Sequence, residues 1–173
     1  MVSPKSEALV SRPLPARDTV KGTRFLRLPA SRTGIDFVHQ FTTDRQHINV
    51  LANASAGGGV ALGDATGDGL PEVYLTRSMG GDRYYQNLGE LRFRDATVDA
   101  GLESEAWGTG AVFVDIDGDG DLDLSVCGYD TPNRLFLNDG TGKFAEQAAA
   151  AGLNFSGASI VTAYGDMDLD GDL

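Results

Sequence analysis

Along the middle of the chain, short apolar runs alternate with acidic, glycine-rich stretches. Ala111-Val112-Phe113-Val114 leads into one such stretch, and beyond it Leu122, Leu124 and Val126 alternate with Asp123 and Ser125. That is the period of two imposed on a half-buried strand, so the stretch between is a loop joining two strands. Gly34-Ile35-Asp36-Phe37-Val38-His39 alternates in the same way and predicts an earlier, first strand.

The pattern then repeats with a constant period. Asp64, Asp115 and Asp166 are 51 residues apart, as are Asn87 and Asn138, Phe93 and Phe144, and Gly101-Leu102 and Gly152-Leu153. Each unit runs from a Gly-rich approach through an apolar strand, an acidic loop and a second strand to Asp82-Arg83-Tyr84-Tyr85-Gln86-Asn87 or Asn133-Arg134-Leu135-Phe136-Leu137-Asn138. A strand around Phe93 or Phe144 and an Ala-Gly-Leu ending complete it. Four short strands repeated about every fifty residues predict an all-β fold of β-propeller blades, each of four antiparallel strands. One blade cannot bury both its faces, so blades stack around an axis, usually about four or more to a ring. About three units are present and the third reaches Asp172-Leu173, which predicts a fragment of a larger propeller.

Charge changes the picture at the loops. Asp115-Ile116-Asp117-Gly118-Asp119-Gly120-Asp121-Leu122-Asp123 carries carboxylates at every second position. Such crowded like charges fold together only with water, a positive partner or a hard cation among them. Calcium takes six to eight oxygen ligands in a flexible shell, and the glycines supply the backbone angles the wrap needs. An EF-hand is excluded, since strands flank the loop and Val126 stands where a bidentate Glu would be required. Twelve of the 25 acidic residues fall in the stretches 64–72, 115–123 and 166–172, so the net charge of -11 belongs largely to these loops. With no basic stripe, nucleic acid is excluded as a partner.

Residues 1–34 differ in kind. They hold seven of the 14 basic residues and four of the six prolines, which predicts a solvated, poorly ordered lead-in ahead of a repeat region over 35–173. The lone Cys127 permits no internal disulfide and reads as a small buried apolar residue. His39 and His47 show no spacing that marks a ligand or a base. No apolar run of about eighteen residues spans a membrane, and the first ten residues lack the apolar core of a secretory signal. Gly57-Gly58-Gly59 is not followed by a phosphate-binding signature and reads as a close backbone approach before a blade strand, while Trp107 beside Gly108-Thr109-Gly110 reads as a blade-packing aromatic, the alternative being a platform that stacks on a sugar or a partner.

These residues resemble the FG-GAP or VCBS repeats of integrin-alpha-type β-propellers. The segments 34–39 and 57–64 look most like the branch containing the cartilage acidic proteins and the bacterial proteins with an ASPIC/UnbV domain. In that family Asp-x-Asp-Gly-Asp-Gly-x-x-Asp binds calcium through side chains at positions one, three, five and nine and a backbone carbonyl at position seven. The resemblance therefore implies Asp115, Asp117, Asp119 and Asp123 as side-chain ligands and Asp121 through its carbonyl. In the first loop it implies Asp64, Thr66, Asp68 and Glu72, with the carbonyl of Leu70. Thr66 and Glu72 depart from the pattern, so this loop is expected to bind more weakly. The third loop offers Asp166, Asp168, Asp170 and the carbonyl of Asp172, and is expected to be half-formed.

The resemblance implies a non-catalytic, calcium-stabilised propeller that binds a protein or a glycan in an extracellular, periplasmic or cell-surface setting. The alternative is part of a calcium-dependent propeller enzyme such as a polysaccharide lyase. Against it, the chain offers no Ser-His-Asp arrangement, no metal ligand set with an open position, and no acid/base pair separable from the acidic loops.

Overall fold

In a computed structural model, residues 25–40, 58–170 and 173 are described. Two antiparallel meanders account for most of them. The first blade orders β1 (Val60–Gly63), β2 (Glu72–Leu75), β3 (Arg83–Asn87) and β4 (Phe93–Asp95) side by side. The second orders β5 (Gly108–Val114), β6 (Asp123–Pro132), β7 (Arg134–Asn138) and β8 (Phe144–Glu146) in the same way. Registers match at the 51-residue offset: Leu62 faces Val73 as Phe113 faces Leu124, and Tyr85 faces Asp95 as Phe136 faces Glu146. The expected four-stranded blades are therefore present twice.

The core lies between the two sheets. Tyr74, Tyr84 and Leu102 from the first blade are buried with Leu124, Val126, Phe136 and Phe144 from the second, and the Tyr84 and Phe144 rings meet edge to face at 5.8 Å. Trp107 is buried against Tyr129, with ring centroids 4.8 Å apart, and Cys127 is buried and unpaired with any other cysteine, as the sequence predicts.

Main-chain bonds join the blades at the same offset. The amide of Gly108 donates to the Arg77 carbonyl at 3.2 Å, and that of Ser159 donates to the Gly128 carbonyl at 3.1 Å. Side chains could not be tolerated where the inner segments touch. A Cβ on Gly59 would lie 2.6 Å from the Thr109 carbonyl oxygen, and one on Gly110 would lie 2.3 Å from that of Ile160. The glycine-rich approach is thus a close packing of backbone on backbone, as expected of the run that ends at Gly59.

An ion pair crosses the same interface. Arg134 of β7 donates through Nη2 to Asp82 Oδ2 at 2.9 Å, and the same oxygen accepts the Tyr74 hydroxyl at 3.0 Å. Asp82 Oδ1 accepts the Arg77 amide at 3.0 Å, and the Asp82 side chain is fully buried. Burial raises the Asp82 pKa while the Arg134 charge lowers it. Burial raises the Tyr74 hydroxyl strongly.

Two predicted strands are absent. Residues 34–39 form no strand; they follow a short helical turn, α1 (Ala30–Thr33), and pack on the first blade. There Asp36 accepts the Tyr85 hydroxyl at 3.2 Å, and the Arg77 guanidinium stands 5.2 Å from the Phe37 ring centroid while donating to the Val38 carbonyl at 3.4 Å. Side chains meet part of the segment's backbone: the Ile35 amide donates to Thr33 Oγ1 at 3.2 Å, as Arg77 donates to Val38. In the third unit β9 (Ser156–Ala158) pairs with the far end of β6, whereas residues 159–165 form no strand. In the first two units the corresponding stretch pairs with the strand after the loop. Of residues 1–34, for which poor order is expected, 1–24 lie outside the described residues, as does His47, while 25–34 contain α1.

Gly59→Ala is expected to cost about 1–3 kcal/mol through overpacking, whereas Gly165→Ala, which meets open space, changes stability by less than about 0.5 kcal/mol. Urea unfolding of the two variants checks this. Asp82→Ala leaves the Arg134 charge buried without its partner and is expected to cost about 3–5 kcal/mol in the same assay.

Candidate metal centre

The three acidic loops start from the turn where β1 meets β2, β5 meets β6, and the third unit has the corresponding stretch. In the second loop Asp115 folds the chain around itself. Its Oδ1 accepts the Gly118 amide at 2.8 Å and its Oδ2 the Gly120 amide at 3.1 Å. Asp117 and Asp119 accept the amides two residues on, those of Asp119 and Asp121, at 3.3 and 3.1 Å. Gly118 and Gly120 take φ of 75° and 97°, and a Cβ on either would meet nothing within 4 Å. The glycines are required there by backbone angle and not by space. Position four of the third loop is Leu169, which adopts φ of 64° at the strain cost a side chain brings.

The ninth position closes the loop from inside. Asp123 is buried; its Oδ2 accepts the Ile116 amide at 3.0 Å and its Oδ1 the Asn138 amide at 2.8 Å. The first loop is built alike. Asp64 accepts the amides of Asp68 at 3.1 Å and Gly69 at 2.7 Å, and Asp68 that of Leu70 at 2.8 Å. Glu72, fully buried, accepts the amides of Ala65 at 2.9 Å, Thr66 at 3.2 Å and Asn87 at 3.3 Å. Glu72 therefore does for its loop what Asp123 does for the next, despite the extra methylene.

Carboxylate oxygens of Asp115, Asp117 and Asp123 lie within 4.8 Å of one another, and so do those of Asp166, Asp168 and Asp170. Among the described residues, Asp64, Asp68 and Glu72 form no such trio, and Asp119 stands outside the trio of its own loop. Asp172 lies outside the described residues. Thr66 Oγ1 is buried with no hydrogen-bond partner among the described residues, and Asp121 Oδ1 is in the same condition. Hard oxygen donors, converging in threes beside orphaned oxygens, fit a hard divalent cation and suit neither thiophilic nor imidazole-preferring metals.

Electrostatics agree with the donor set. Asp121 is pushed up to about 6, by burial first and then by the neighbouring charges of Asp119 and Asp123. Asp123 and Glu72 are raised by burial, which the amides bonded to them partly offset. Asp121 and Asp123 therefore hold their protons more tightly than free carboxyl groups do.

With this geometry in view, the sequence comparisons assign the repeat. The FG-GAP-like repeat family matches residues 64–126 and again 115–173, each span running from one acidic loop into the next. The chain belongs to the FG-GAP-like repeat family. It is also 30% identical over 116 residues to cartilage acidic protein 1 of Mus musculus, a match covering 60% of this chain and 18% of that protein. The chain thus spans less than a fifth of the length of this relative.

Two features of the FG-GAP region escape a reading of motifs. The Asp82–Arg134 pair and the bonds of Asn138 across the blade interface join different repeats. Their one signal in the sequence is recurrence, Arg83 with Arg134 and Asn87 with Asn138, which marks the positions without saying what they touch.

Asp121 binds its proton more tightly in the folded than in the unfolded chain, so without cations folding takes up protons and stability falls as pH rises. In chelator the melting temperature is expected to rise as pH is lowered from 7.5 to 5, and Asp121→Asn is expected to flatten that dependence. Thermal unfolding monitored by circular dichroism across the pH series measures both.

Proposed function

We propose that this FG-GAP region is a non-catalytic, calcium-binding propeller segment whose acidic loops hold the blade hairpins in shape for binding a protein or glycan outside the cytoplasm. The observation that carries it is the convergence of Asp115, Asp117 and Asp123 in a loop whose frame recurs in both complete blades. Asp115, Asp117 and Asp123 would hold the ion with Asp119 and the Asp121 carbonyl completing the shell; Asp64, Thr66, Asp68, Glu72 and the Leu70 carbonyl would do so in the first loop. A bound divalent cation supplies positive charge to a crowded set of carboxylates, and no catalytic step is assigned to it. Two full blades with inner, loop and outer strands in one register support a structural use of the metal. FG-GAP membership and the likeness to a cartilage acidic protein support a binding role and an extracellular setting. Among the described residues no helix is long and apolar enough to cross a membrane.

Calorimetric titration with calcium chloride is expected to show saturable binding, weakened at least about ten-fold at the second loop by Asp117→Ala, since ligand charge tunes such sites. Free calcium at a hundred times its Kd adds about 2.7 kcal/mol to stability, read as a higher melting temperature than in chelator. In calcium the pH dependence reverses: acid competes with the ion for the carboxylates, and the melting temperature falls towards pH 5. A folded chain that takes up no calcium would falsify the reading.

A further inference from the structure

The Asn138 side chain works on two blades at once. Its Nδ2 donates to the Leu122 carbonyl of its own loop at 3.0 Å and to the Ala65 carbonyl of the first blade's loop at 2.8 Å. Its Oδ1 accepts the Gly142 amide at 3.0 Å, and its own amide donates to Asp123 Oδ1 at 2.8 Å. Asn87, one repeat earlier, makes the in-blade version: Nδ2 to the Pro71 carbonyl at 2.8 Å and its amide to Glu72 at 3.3 Å. Among the described residues, the hydrogen bonds of the Asn87 side chain stay within its own blade.

We propose that Asn138 is the positioning residue that couples the first two acidic loops, so that a cation held at 115–123 strengthens cation binding at 64–72. This rests on reading the loops as calcium sites. The connection is short and every link is buried or half-buried. Asp123, the ninth position of the second loop, bonds the Asn138 backbone, and the Asn138 side chain bonds the carbonyl of the Ala65–Thr66 peptide. The amide of that same peptide donates to Glu72. One peptide plane is thus held from both sides, and it carries Thr66, the third position of the first loop. Thr66 is also seated on the second blade: a Cβ on Gly142 would lie 2.9 Å from the Thr66 methyl, and Gly142 is the residue whose amide Asn138 accepts.

The first loop has the greater need of such help. It lacks the convergent carboxylate trio of the second and offers a neutral hydroxyl in place of a charge at position three. Charge alone works the other way, because an occupied second loop is more positive than an empty one and repels a neighbouring cation. A favourable coupling therefore has to come through the ordered contacts, and it is reciprocal by linkage.

Amide NMR of the whole chain, titrated with calcium chloride, separates the loops: Gly67 and Gly69 report the first and Gly118 and Gly120 the second. With Asn138 in place, disabling the second loop by Asp117→Ala is expected to raise the calcium concentration that half-saturates the first by about five-fold. In the Asn138→Ala background the same change is expected to move it less than about two-fold, while the Asn87→Ala background keeps the five-fold effect. An unchanged first-loop midpoint on Asp117→Ala overturns the coupling, whether or not Asn138→Ala folds. A five-fold effect that persists without Asn138 also overturns it, by placing the coupling elsewhere. No response at either loop in the folded protein removes the calcium reading, and this inference with it; binding at two independent loops removes this inference alone.

Discussion

A carboxylate buried at the ninth loop position organises each blade. A carboxylate without donors in an apolar interior is prohibitive, so the chain must bring amides to it. Glu72 and Asp123 each gather an amide from the start of the loop and the amide of an asparagine at the end of the third strand. Loop, second strand and third strand are thereby locked by one side chain. What has to be kept is the pair of acceptors and not the side-chain length, which is why Glu replaces Asp here without changing the frame.

Stacking rests on a different economy. Main-chain bonds between successive blades repeat at the 51-residue offset, and glycine at positions 59 and 110 lets backbone approach backbone. Side chains then give the interface its individuality. Asp82 meets Arg134 from the next blade, whereas the equivalent Asn133 accepts the Gly128 amide at 2.9 Å within its own. A buried ion pair of this kind adds little net stability over a well-packed apolar pair, but losing one partner is costly, so it favours one neighbour in one register.

The acidic loops combine a fixed backbone shape with crowded negative charge. Asp115 and Asp64 spend their oxygens on amides of their own turns, which sets the loop shape. Asp115, Asp117 and Asp123 nevertheless converge within 4.8 Å, and Asp121 is pushed up to about 6 by burial and then by the charges of Asp119 and Asp123. Shape comes from hydrogen bonds and residual charge from crowding; together they make an arrangement that fits a divalent, oxygen-seeking ion. The Asn138 side chain bonds a carbonyl of each neighbouring loop, those of Leu122 and Ala65.

The period, the strand order and the acidic loops were legible in the sequence, because alternation, glycine placement and repeat spacing are properties of neighbours along the chain. Leu122, Leu124 and Val126 announce β6 whatever stands beside them. Pairing is not such a property. Residues 34–39 alternate as well as any strand, and residues 159–165 match β5 at 51 residues, yet neither stretch forms a strand. The roles of Asp82, Arg134 and Asn138 were undecidable for the same reason. Their partners lie 52 and 73 residues away, and only the stacking of one blade on the next brings those groups within bonding distance.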